Sequence, residues 1–111
     1  MPARQVIQEA QATKRLLDRI RSSASPIAQS DPECRDLLQQ LLLLFNDLAS
    51  ALHEYPNQRT LRPMLLGDIR YYVARARSLL LDYLQKCCDY DENVRLSPLC
   101  RAIADFLDVP I

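Results

Sequence analysis

An all-α fold, an antiparallel bundle of three long helices and one short C-terminal helix, is predicted by three features of this 111-residue sequence. A single glycine, Gly67, excludes phosphate-cradling loops, dinucleotide fingerprints and tight type I′ hairpins, all of which use glycine at several places. Leucine occupies 20 positions and tryptophan none, a composition of packed helices rather than of a sandwich with many turns. Apolar residues also recur at steps of three and four along four separate segments. With 49% hydrophobic and 25% charged residues, the chain carries enough apolar material for one core in one domain, residues 1–111.

The first segment, Ala3 to Ser23, carries Val6, Ala10, Thr13, Leu17 and Ile20 on one stripe and reads as an amphipathic helix. Small residues and Pro26 make Ser22 to Gln29 a connection. Ser30-Asp31-Pro32-Glu33 has the S-x-x-E form of a capping box, with acids and proline in the first turn, and opens the second helix. Its stripe is Cys34, Leu38, Leu41, Phe45, Leu48 and Leu52, with Leu37 beside it. Tyr55-Pro56 ends it, because the residue before proline is driven out of the helical region.

Pro56 to Thr60 is a polar linker. A third helix follows, from near Leu61 to Pro63 to about Cys88, with the stripe Leu66, Ile69, Val73, Ala76, Leu80, Tyr83 and Cys87. Asp89 to Arg95 is charged and aperiodic, hence a loop. Ser97-Pro98 is an N-cap followed by proline at the first helical position, opening a short helix through Leu107 that carries Leu99, Ile103, Phe106 and Leu107, with Pro110 as its stop.

The formal net charge is zero, which excludes a global field drawing the chain to nucleic acid or an anionic membrane. By segment the charge alternates: +3 for residues 1–30, −4 for 31–56, +4 for 57–80 and −3 for 81–111. Neighbours in an up-down bundle would then attract. The first thirty residues lack a signal-peptide stretch, and the longest apolar run, Leu41 to Phe45, is far too short to span a bilayer, so a soluble cytoplasmic protein is predicted. Four cysteines, Cys34, Cys87, Cys88 and Cys100, occur without a C-x-x-C pair in a chain large enough not to need staples. Reduced, mostly buried thiols, dispensable for folding, are therefore expected.

No template for chemistry is met. The one histidine, His53, lies at a helix end before proline, where it reads as a cation favoured by the helix dipole. Adjacent helical cysteines point about 100° apart, so Cys87 and Cys88 do not readily share a metal, and chelators should leave stability unchanged. Asp31, Glu33 and Asp36 are first-turn acids that favour the dipole, and Asp89, Asp91 and Glu92 lack the glycine and terminal glutamate of a calcium loop. S-x-x-K, G-x-S-x-G and H-E-x-x-H are absent, so the reading is non-enzymatic, with no cofactor and no metal.

The informative positions are surface ones. Around Arg70-Tyr71-Tyr72, Tyr71 falls almost opposite the core stripe with Arg75 one turn on, while Arg70 and Arg77 share a flank. An exposed tyrosine framed by arginines suits a protein contact, or a nucleic acid as the competing reading. Replacing Arg70, Arg75 and Arg77 should therefore disturb binding more than folding. In the second helix, Leu41 to Leu44 cannot all face one core, and Leu43 points nearly away from it. Leu43, Arg70, Tyr71, Arg75 and Arg77 are thus the expected interaction surface, for a protein partner or for self-association as a homodimer.

Two families share parts of this pattern. The Ser30-Asp31-Pro32-Glu33 entry, Asp36-Leu37-Leu38, the polar linker and the Ile69-Tyr71-Tyr72 helix make the chain similar to the four-helix bacteriocin immunity proteins, although its third helix is longer. That resemblance implies a small binding protein acting on another protein. Arg75-Ala76-Arg77 to Tyr83-Leu84, with Leu96-Ser97-Pro98 opening the last helix, resembles the helical domain of subunits of the GINS replication complex, without the small β domain that family normally adds. That resemblance implies a subunit of a nucleic-acid-associated assembly.

Overall fold

A computed structural model describes residues 2–23, 30–88 and 97–110. Four helices build it: α1 (Ala3–Ser23), α2 (Pro32–Glu54), α3 (Arg62–Cys87) and α4 (Pro98–Leu107). Among the described residues there is no strand, and the all-α bundle predicted from periodicity is what forms. The loop expected at Asp89 to Arg95 and residues 24–29 of the expected Ser22 to Gln29 connection lie outside the described residues, while Ser22 and Ser23 close α1.

In α1 all five stripe residues are buried, Val6, Ala10, Thr13, Leu17 and Ile20, and Leu16 joins them. Thr13 is a polar residue in this core. Its hydroxyl donates to the Glu9 carbonyl at 2.8 Å, so burial leaves no unmatched donor.

The α2 start differs from the capping box. Asp31, not Ser30, is the N-cap, and its carboxylate accepts from the backbone N–H of Glu33 at 2.9 Å and of Cys34 at 3.2 Å. A charged acceptor at a helix N-terminus satisfies two orphan donors and meets the positive end of the dipole. Helix α2 ends at Glu54, and the chain turns through two short 3-10 segments, Tyr55–Asn57 and Arg59–Leu61. Arg62 holds this glycine-free turn: its guanidinium donates to the carbonyls of Tyr55 (3.2 Å) and Pro56 (3.0 Å) and lies over the Tyr55 ring. The cation thereby occupies carbonyls that the end of α2 leaves open.

The buried side of α3 starts at Leu65, four residues before Ile69. Leu65 rather than Leu66 is buried there, and Cys87 is only half-buried. Ile69, Val73, Ala76, Leu80 and Tyr83 lie inside as the stripe predicts, with Leu79 added. Helix α4 is likewise rotated: Cys100, Ile103 and Ala104 face inward, whereas Leu99, Phe106 and Leu107 sit at the edges. Ser97 caps it as predicted, its hydroxyl accepting from Cys100 N–H at 3.1 Å. Its end is not made by Pro110. Asp108 adopts the left-handed region at φ 57°, and Val109 N–H donates to Ala104 while Asp108 N–H donates to Asp105, a Schellman closure with aspartate in the usual glycine place.

The cysteines overturn the expectation of reduced thiols. Cys34 is disulfide-bonded to Cys87, and Cys88 to Cys100. The start of α2, the end of α3 and the start of α4 all meet at one end of the bundle. The roughly 100° between neighbouring residues lets Cys87 reach α2 while Cys88 reaches α4. An ion pair flanks the first bridge, Lys86 Nζ to Glu33 Oε1 at 2.8 Å, and raises the Lys86 pKa through that hydrogen bond and charge. These links fix α2 antiparallel to α3, and the Arg77–Phe106 stacking together with Cys88–Cys100 fixes α4 antiparallel to α3.

Tyr83 is buried on α3, and removal from water pushes its phenol above the ordinary value of 10. The folded state holds that proton more tightly than the unfolded chain. Its stabilising contribution is complete below pH 10 and is lost as pH rises through the raised value. Thermal melts from pH 9 to 11 should fall less steeply for Tyr83→Phe than for the wild type. Equal slopes would contradict this.

Candidate interaction surface

The antiparallel pairing sets Leu43 of α2 level with Tyr71 and Arg75 of α3. Both large apolar side chains stand out in water: Leu43 is 64% exposed and Tyr71 63%. With Gln40, Asp47 and Tyr72 they line a shallow open groove, floored by Leu44 and Leu79. On α2, Gln40, Leu43 and Asp47 follow at steps of three and four. On α3, Met64, Asp68, Tyr71 and Arg75 follow at four, three and four, so each set runs along one side of its helix. Met64, 58% exposed, continues the apolar stripe.

Arg75 is held at one end of the groove, donating from Nη2 to Gln40 Oε1 at 3.0 Å. At the other end Asp47 faces the two tyrosines, whose rings meet edge to face at 5.9 Å. The Tyr72 phenol is raised above its ordinary pKa first by burial, then by the negative charges of Asp47 and Asp68 and by Tyr71. The groove therefore has an apolar middle, a cation at one end and an anion at the other.

The five surface residues read from the sequence do not form one patch. Leu43, Tyr71 and Arg75 come together, but Arg70 and Arg77 line a different groove, shared with Val6 and Glu9 of α1. Arg77 also stacks on Phe106 of α4, its guanidinium carbon 5.4 Å from the ring centroid. Such contacts contribute about 0.5–1 kcal/mol at exposed sites, so Arg77 helps hold α4 as well as facing solvent. The sequence reading missed Asp47 and Gln40. Their signal was the three-and-four spacing about Leu43.

His53 lies exposed in the last turn of α2, nearly the whole helix away from Cys34 in the first, so no Cys–His pair is assembled. Among the described residues, no group of three or more His, Cys, Asp or Glu is placed to hold a metal ion, and no helix is long and apolar enough to cross a membrane. No family model matches the sequence, and neither a curated protein nor a solved structure matches it. The immunity-protein and GINS resemblances stay at the level of the short stretches that carry them.

Proposed function

We propose that this chain is a non-enzymatic binding module that docks a protein surface in the groove between α2 and α3. The observation that carries this reading is the pairing of two large, mostly exposed apolar side chains, Leu43 and Tyr71, from different helices across one groove. Lone exposed leucines are common, but an apolar pair framed by an acid and an arginine has the make-up of an interface centre. The nucleic-acid reading is weaker, because Arg70, Arg75 and Arg77 divide between two grooves and the groove that holds Arg75 also carries the negative charge of Asp47. Four paired cysteines favour an oxidising compartment over the cytoplasmic setting suggested by the sequence.

Site-specific photocrosslinking tests the reading. A benzophenone side chain placed at position 43 or 71 of the full chain, in extract of the native source, should form protein adducts that a control at exposed Gln11 does not. These adducts should survive nuclease and change little with salt, since an apolar contact lacks the counterion release of phosphate binding. Adducts from all three positions alike, or from none, would overturn it.

A further inference from the structure

We propose that the occupant of the α2–α3 groove is a second copy of this chain, related by a two-fold axis passing through Leu43, an inference that rests on the docking reading above. The groove is its own electrostatic complement. Arg75 sits at the Gln40 end, three residues before Leu43, and Asp47 lies one turn beyond Leu43 on the other side. Each charge is therefore displaced from Leu43 by roughly 5 Å along α2, in opposite directions. A two-fold rotation across the helix axes exchanges the two ends. It brings Asp47 of each copy opposite Arg75 of the other, twice, while Leu43 meets Leu43 and the Tyr71 rings cover the apolar middle.

Isologous contacts require this property, since residue i must meet j and j must meet i. A groove with one sign of charge would repel its own copy. Size is also adequate. Helix α2 has 23 residues, and two helices side by side, each about 10 Å across and ~35 Å long, present on the order of 700 Å² before side-chain relief is counted. A standard interface takes about 800 Å² from each partner.

The test is the solution mass of the full chain by light scattering and sedimentation, from low micromolar concentration upward at physiological salt. The expected species has twice the 12.8 kDa chain mass. Leu43→Glu should abolish it. Asp47→Arg and Arg75→Glu should each weaken dimerisation about tenfold or more, and the double substitution should restore it to within a few-fold of wild type, because the charges have only changed places. Circular dichroism confirms that each variant is folded; all three positions lie outside the core. A wild type monomeric throughout, a dimer indifferent to Leu43→Glu, or a double variant no tighter than the singles would overturn the proposal. A monomer whose position-43 crosslinks go to another protein would overturn self-association and keep the docking reading. A monomer without specific crosslinks would overturn both.

Discussion

Unfolding under a reductant is expected to occur far below the melting temperature of the oxidised protein. The Cys34–Cys87 bridge joins residues 53 apart and Cys88–Cys100 residues 12 apart. In the chain-entropy account, closing loops of those lengths in the unfolded chain stabilises the fold by about 4 and about 3 kcal/mol respectively. For a domain of this size the longer bridge alone corresponds to a drop on the order of 10 to 20 °C. The double substitution Cys34→Ala/Cys87→Ala should therefore cost more than Cys88→Ala/Cys100→Ala. Two measurements decide the matter: thiol titration of the denatured, unreduced protein should find no free thiol, and melting should shift strongly with reductant. Four titratable thiols and an unchanged melt would restore the reduced reading.

The leucine run gives the second large effect. Leu41 is completely buried and Leu43 is 64% exposed, two residues apart in one helix. Leu41→Ala removes side-chain volume from a packed interior and leaves a cavity, with a cost of about 3 to 5 kcal/mol. Leu43→Ala leaves no cavity in the core and should stay within about 0.5 kcal/mol of the wild type as a monomer. Urea denaturation of the two variants at concentrations below any self-association measures the difference. Similar losses for both would mean that α2 is rotated about its axis from the orientation described.

Much of the architecture was legible before any coordinates. The α1 stripe was legible apart from Leu16, because one amphipathic helix buries one side and the spacing of Val6, Ala10, Thr13, Leu17 and Ile20 reports that side directly. Ser97 as a cap and Leu43 as an outward residue were equally readable, since each depends only on neighbours within a turn or two. The phase at the start of α3 and along α4 was not. Leu65 and Leu66 are equally apolar and both lie within one helical step of Ile69, so only packing against the neighbouring helices separates them, and the bridge to Cys88 turns Cys100 rather than Leu99 inward.

The sequence by itself determined properties that live within one helix: where α4 begins, which side of α1 is apolar, and that the leucine run of α2 carries an outward side chain at Leu43. Those follow from 3.6 residues per turn and from local capping chemistry, which need no partner. Tertiary structure alone decided the cysteine pairing, the meeting of Arg75 with Gln40, and the meeting of Asp47 with Tyr71 and Tyr72. Each of these depends on the relative sliding and rotation of two helices. That register is set by how side chains distant in the chain interlock in a close-packed interior, a non-local quantity that periodicity along a single helix does not contain.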